Sequence, residues 1–243
     1  MFDFLAPVVG GFPCLIMPLM VAAVIYAIVI GQRKARERRE QLQSIAARYG
    51  LEFHPARDRQ HDDFYAHFEI FRRGNSRTAF NTLIGEHAFA GHRMGVKAGD
   101  FRYTVTTGSG KDRKTTTYTF SYLIIHLPFQ TTPDLLIRPE HFFDKLAGVF
   151  SSADIDFESE EFSRRFMVAS PDRKFAYDVC HPRMIEFLLK TRPPAIDIEH
   201  GRLCLADGSR TWTPDQFTWM FEFAESFLSQ WPEHVVKDLN RPS

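Results

Sequence analysis

The longest apolar run lies at the start of the chain: from Leu5 to Gly31 no residue carries a charge, and Arg33, Lys34, Arg36, Arg38 and Arg39 then follow within seven positions. A bilayer core about 30 Å thick needs about 20 apolar residues in a helix rising about 1.5 Å per residue, so the run is long enough to span it. Gly10 and Gly11 are poor helix formers and Pro13 suits a first turn, which predicts a transmembrane helix from near Pro13 to Ile30 with Pro18 as its point of kinking. A cleaved secretory signal would carry a basic leader, a shorter apolar core and a small-residue cleavage site. None of these is present here.

Beyond the basic cluster the pattern stays helical, with Leu42, Ile45, Ala46 and Tyr49 at helical spacing and Gly50 as a stop signal. Leu51 to Phe53 reads as a short strand and His54 to Asp63 as a loop. From Phe64 to Leu127 the texture turns to β. Phe101, Tyr103 and Val105 alternate with polar neighbours, as do Tyr118, Phe120, Tyr122 and Ile124, and Gly108-Ser109-Gly110-Lys111-Asp112 between them predicts a hairpin. Phe68 to Arg73, Arg77 to Ile84 and Ala88 to Val96 read as weaker strands punctuated by glycines.

After Pro128 the pattern is mixed. Pro139 to Phe150 suits a helix, Phe162 to Ala169 a strand, Asp172 to Leu189 one or two helices interrupted at Pro182, and Ile196 to Ala206 a hairpin turning at His200-Gly201. The last helix has the fullest start signal, with Thr213 as cap, Pro214 in the first turn and Gln216 three residues after the cap. Phe217, Met220, Phe221, Ala224, Leu228 and Trp231 follow, and Pro232 ends it. Strands first and then strands mixed with helices predict an α+β fold. An N-terminal transmembrane helix leads into a mainly antiparallel sheet domain, with helices concentrated in the C-terminal half. The expected organisation is an N-terminal segment and span at 1–31, a juxtamembrane helix at 32–50, a β-rich subdomain at 51–130 and an α+β subdomain at 131–243.

Charge decides orientation more than partner. Lys and Arg near a span stay on the cytoplasmic side, and here they all follow it. The expectation is a single pass in the plasma (inner) membrane, N-terminus outside, with Gln32 to Ser243 cytoplasmic and the lipid bilayer as first partner. Arg33, Lys34, Arg36, Arg38 and Arg39 form a basic cluster at the membrane surface, each worth about 1 kcal/mol beside anionic lipid. The same cluster also serves the simpler role of setting topology. With 30 basic and 30 acidic residues the chain has no global field to attract nucleic acid.

Candidate chemistry is sparse. Gly108-Ser109-Gly110-Lys111 resembles part of a phosphate loop, but Val105 stands where the first glycine is needed and Asp112 where Ser or Thr is needed. His61, Asp63 and His67, and separately Glu86, His87 and His92, are candidate convergent sets without a recognised metal-ligand spacing. Asp154, Asp156 and Glu158 share one face if extended, as carboxylates for acid and base work, for a divalent cation or for a solvated strand edge would, although no turn glycine or distal glutamate completes a calcium loop. Arg164 and Arg165 sit where an ion pair or an anion site is expected. Cys180-His181 is a poor nucleophile and base pair because adjacent side chains diverge. Cys14, Cys180 and Cys204 make no disulfide framework. No cofactor or metal is expected, and no catalytic residue emerges.

Asp100-Phe101-Arg102-Tyr103-Thr104, Gly108 to Lys111, Leu127-Pro128, Pro139-Glu140, Asp154 to Glu158 and Phe162 to Phe166 together resemble a pattern in uncharacterised bacterial membrane proteins with one or two N-terminal spans. The resemblance covers Gly74 to Leu189 and implies an anchored bacterial domain without assigned activity. The functional expectation is a membrane-anchored cytoplasmic module that binds protein or lipid, with a membrane or cytoplasmic protein as a further candidate partner. The alternative is a hydrolase-like membrane-associated enzyme using the carboxylates at 154–158 or the His61 to His67 group.

Overall fold

The computed structural model describes residues 13–139, 155–208 and 210–241. Contacts divide the chain into two compact units, Met1–Gln41 and Leu42–Ser243. Helix α1 (Pro13–Tyr49) is continuous through Pro18 and runs past the basic cluster, and Gly50 ends it with a left-handed φ of +67°. The large apolar side chains from Met17 to Val29 are uncovered: Met17, Leu19 and Tyr26 are 70%, 75% and 68% exposed. An 18-residue window of this helix has mean hydropathy 1.3 and none of it is buried.

The second unit is an α+β fold built on one eight-stranded antiparallel sheet. Its strands are β1 (Glu52–His54), β2 (Asn75–Phe89), β3 (His92–Thr107), β4 (Lys114–His126), β5 (Leu135–Pro139), β6 (Phe166–Ala169), β7 (Ala195–Glu199) and β8 (Arg202–Ala206). They lie in the order β1-β2-β3-β4-β8-β7-β5-β6. β4 pairs with β8 from Tyr122↔Ala206 to His126↔Arg202, so residues 51–130 and 131–243 contribute to the same sheet.

Period-two alternation sorts the side chains onto two faces. Leu123, Ile125, Ile137, Ile196, Ile198, Leu203 and Leu205 point to one face. It is covered by the end of α1 (Leu42, Ile45, Ala46) and by α5 (Arg173–Val179), α6 (Pro182–Thr191), α7 (Pro214–Ser229) and α8 (Glu233–Leu239). α7 contributes most, burying Phe217, Met220, Phe221, Phe223, Ala224, Phe227 and Leu228, each large side chain worth about 1.5–3 kcal/mol. Its capping box is complete: Gln216 N–H donates to Thr213 Oγ1 and Thr213 N–H to Gln216 Oε1. Tyr49 stacks on Phe221 with ring centroids 3.9 Å apart, fastening the end of α1 to α7.

The opposite face carries Ala79, Phe101, Tyr103, Phe120, Tyr122 and Ile124. Two one-turn helices, α2 (His61–Phe64) and α3 (Glu69–Arg72), and the residues between them cover it with Tyr65, Phe68, Ile70 and Phe71.

Several expectations need correction. Phe68 to Arg73 is not a strand: Glu69–Arg72 form one helical turn between extended Phe68 and Arg73, and Phe68 and Phe71 both reach the sheet and are fully buried. Phe162 to Ala169 is not one strand: α4 (Glu160–Arg165) precedes β6, started by Ser159, whose hydroxyl accepts the Phe162 N–H, with Glu160 and Glu161 favourable in its first turn. Arg164 and Arg165 are therefore helical residues. Arg77 to Ile84 and Ala88 to Val96 are not separate strands, since β2 runs unbroken past Gly85 to Phe89. It turns at Ala90-Gly91, whose φ values of +47° and +79° suit a two-residue hairpin. The His54 to Asp63 loop ends in α2, and α8 follows Pro232 where no element was expected. The helix expected at Pro139 to Phe150 lies outside the described residues apart from Pro139, which closes β5.

The β7–β8 hairpin turns at His200-Gly201 as expected, with φ of +50° and +70°. Gly201 is also closely packed: a Cβ there would lie 2.9 Å from the Phe129 carbonyl, while its N–H donates to Thr132 Oγ1 at 3.1 Å and its carbonyl accepts from Leu127 at 2.9 Å. Gly201→Ala is expected to destabilise the domain by about 1–3 kcal/mol, measured as a lower denaturant midpoint at unchanged slope.

Candidate functional site

The residues singled out from sequence are dispersed. Asp156 and Glu158 are exposed, and Asp154 lies outside the described residues. Glu86 pairs with Arg93 at the surface at 3.1 Å, His92 is exposed, and His87 packs against Tyr49, Phe89 and Phe221. Gly108 to Lys111 is an exposed hairpin end. Cys180 and Cys204 are free and buried on opposite faces of the sheet, and burial pushes the Cys180 thiol up to about 12. Among the described residues, no three His, Cys, Asp or Glu stand together as a metal set. Arg33, Lys34, Arg36, Arg38 and Arg39 occupy the middle of α1. Arg33 pairs with Glu37 at 2.8 Å and Arg36 with Glu40 at 2.9 Å, so part of the cluster's charge is met within the helix.

His61 and His67 do meet a common neighbour, since both rings contact Tyr65, at 4.8 and 6.0 Å between centroids. His61 is fully buried among Tyr65, Phe71, Phe101 and Tyr122. Desolvation, reinforced by Lys97, lowers its pKa to about 3, so it is a neutral core residue. Burial, with Arg202 and His200 nearby, lowers His67 to about 4. Asp63 points away and is exposed. Around Tyr65, His126 Nε2 lies 3.2 Å from its hydroxyl, and Lys97 and Arg202 stack over its ring at 5.1 and 5.9 Å.

A polar row continues from there across the sheet onto β7 and β5. Leu136 is the register partner of Asp197 in β7, so Arg138, two residues on in β5, shares the face of Asp197 and Glu199. Arg138 Nη2 lies 3.7 Å from Glu69 Oε2, and Arg73 grips Glu69 at 2.8 Å. Asp197 and Glu199 stand two positions apart on that face, close enough for each to act on the other's titration. Desolvation raises both carboxyl pKa values; Arg138 opposes the rise at Asp197, while the charges of Asp197 and Asp134 add to it at Glu199. The pair holds a proton well above the ordinary carboxylate range and behaves as one titrating unit. These residues went unnoticed in the sequence, although Ile196-Asp197-Ile198-Glu199 alternates so that both acids must share a face.

A broad groove opens elsewhere in the domain, about 1170 Å³ in volume. Phe166, Pro193, Pro194, Trp219 and Met220 supply its apolar surface, and Arg164, Arg165, Arg192 and Arg210 its charge.

No protein-family model and no curated protein matches the chain. The fold resembles the crystal structure of the mycobacterial trehalose monomycolate transport factor A, TtfA. The TM-score is 0.53 at 14% identity, over 81% of this chain and 97% of that one. The likeness extends through most of both chains and is one of fold.

The carboxylate pair has a thermodynamic consequence. Groups whose folded pKa is raised take up protons on folding, so their stabilising contribution is full below about pH 4 and declines as pH rises through the folded values. Glu199→Gln keeps the Asp197 charge for Arg138 and mimics the protonated acid. It is expected to stabilise the domain by about 1–2 kcal/mol at pH 8, allowing for screening of a half-buried group. At pH 4 its effect is expected to be close to nil, as followed by thermal melts across that range.

Proposed function

We propose that this chain is a single-pass inner-membrane protein with its N-terminus outside and a cytoplasmic domain that works by binding a lipid or protein partner at the membrane. The observation that carries this reading is α1: a helix whose apolar residues from Met17 to Val29 are more than half exposed needs a lipid environment, and it is continuous into Leu42, where the folded unit begins. Arg33, Lys34, Arg36, Arg38 and Arg39 then act as the cytoplasmic collar that sets orientation and meets anionic headgroups. The likeness to a protein titled a transport factor supports an accessory role in lipid handling.

The hydrolase-like alternative has less support. Asp156 and Glu158 face solvent, His61 is sealed from it, and the raised carboxyl pair is set beside Arg138. A general acid or base must reach a substrate proton, and in this pair Asp197 is buried and Glu199 half-buried.

Membrane fractionation tests the anchor. Val24→Arg with Ile28→Arg places two charges in the span, each opposing insertion by about 2.5–3.5 kcal/mol, and is expected to release the chain from the membrane fraction. Because Cys180 and Cys204 are each only 2% exposed, a Cys14→Ser, Ser109→Cys variant reports topology: an impermeant maleimide should label it only after the cells are lysed. Labelling of intact cells would reverse the orientation.

A further inference from the structure

We propose that the arginine-lined groove binds the phosphate headgroup of an anionic lipid, with the first part of its acyl chain along the groove's apolar side. The inference rests on the membrane-anchored reading above and names the ligand class.

Four arginines reach the groove from three parts of the fold: Arg164 and Arg165 from α4, Arg192 from the end of α6, and Arg210 from the loop before α7. Two are already neutralised, Arg165 by Glu161 at 2.8 Å and Arg210 by the buried Asp207 at 3.1 Å. Arg164 and Arg192 are exposed and have no anionic partner among the described residues. Two uncompensated guanidiniums match the −1.5 to −2 charge of a phosphomonoester at neutral pH, and the planar fork of each suits two phosphate oxygens.

Arg192 carries a second mark. It is the left-handed cap of α6, φ +51°, its N–H donating to the Leu188 carbonyl at 3.0 Å. Glycine is the low-energy residue there, and Asn the usual substitute. An arginine held in that conformation delivers a cation at a helix C-terminus facing the groove. Its backbone strain is the kind concentrated at binding sites.

The apolar surface selects the rest of the ligand. Phe166 and Met220 are nearly buried, Trp219 is half-buried and stacks on Phe223 at 5.4 Å, and Pro193 and Pro194 have no N–H to offer. Along this apolar side Phe166, Pro193, Pro194 and Met220 give a peptide's amides no side-chain partner, whereas an acyl chain asks for none. The volume exceeds the roughly 300–1,000 Å³ of ordinary small-molecule pockets, leaving room for a headgroup and several methylenes. Nucleic acid requires a row of cations along repeating phosphates, and two do not make one.

The test uses the full chain purified in a neutral detergent and titrated calorimetrically with dodecyl phosphate, inorganic phosphate and a poly-glutamate dodecapeptide. Dodecyl phosphate is expected to bind best. Arg164→Gln with Arg192→Asn, which keeps a residue tolerant of the left-handed cap, is expected to weaken it at least tenfold. Arg173→Gln with Arg183→Gln, exposed and outside the groove, should leave it unchanged, and thermal melts of each variant verify folding. Equal binding by the groove variant and the parent, or preference for the peptide, overturns the inference. Binding of inorganic phosphate as tightly as dodecyl phosphate overturns its lipid part. Membrane fractionation of the wild-type chain separates the two readings: an extractable chain refutes the anchor, while an anchored chain with an indifferent groove refutes the site alone.

Discussion

The pairing of β4 with β8 is the contact on which the rest of the domain depends. It joins strands about eighty residues apart in sequence and turns two halves into one sheet, from Tyr122↔Ala206 to His126↔Arg202. Closing a loop of that length carries an entropic penalty that grows only slowly with length, and it is repaid by non-local burial. Leu123, Ile125, Leu203 and Leu205 from the two strands lie together under the C-terminal helices, and Ile124 and Cys204 lie together on the other face. The same register fixes the chemistry, because placing His126 opposite Arg202 and Glu199 opposite Arg202 lines up the polar row.

That row costs stability. The face under α2 and α3 is aromatic over β2 to β4 and becomes ionic over β7 and β5, where Asp197, Glu199 and Arg138 replace apolar side chains. A well-packed hydrophobic substitute for a buried ionic cluster is often as stable or more so. Histidine and carboxylate also pull in opposite directions with pH. The lowered pKa of His61 makes its contribution full above about 6.5 and lost as pH falls towards 3, while the raised pair is penalised as pH rises. The domain is therefore narrowest in stability at the two extremes and best suited to pH values between them. Ionic contacts of this kind fix one arrangement of strands and covering helices where apolar contacts alone tolerate sliding.

Elements whose signal is local were legible in the sequence. The Thr213 capping box, the His200-Gly201 turn, the interruption at Pro182 and the Phe101/Tyr122 alternation each depend on residues within a few positions of each other. The failures came where tertiary context overrode a short pattern. Phe68 and Ile70 flank Glu69 as in a strand, but one turn of helix brings Phe68 and Phe71 to the sheet together. Phe162 to Ala169 reads as a strand unless Ser159-Glu160-Glu161 is given its weight as a helix start. The binding-type clusters were the least legible. Arg164, Arg192 and Arg210 are neighbours only through folding, and Asp197 shifts because folding buries it, against the opposing pull of Arg138 and Glu199.

On the proposed reading, a neutral chain can work at an anionic surface because the anchor replaces long-range attraction. An untethered domain would need a broad basic field to concentrate itself at lipid. Here a covalent helix turns headgroup capture into an intramolecular event, so a site of modest intrinsic affinity is occupied at the effective concentration that the tether imposes. Two uncompensated guanidiniums beside Trp219 and Met220 are then sufficient in a chain whose 30 basic and 30 acidic residues balance to zero. The basic collar and the groove divide the work on this account: the first fixes which side of the bilayer the domain occupies, and the second discriminates among the lipids found there.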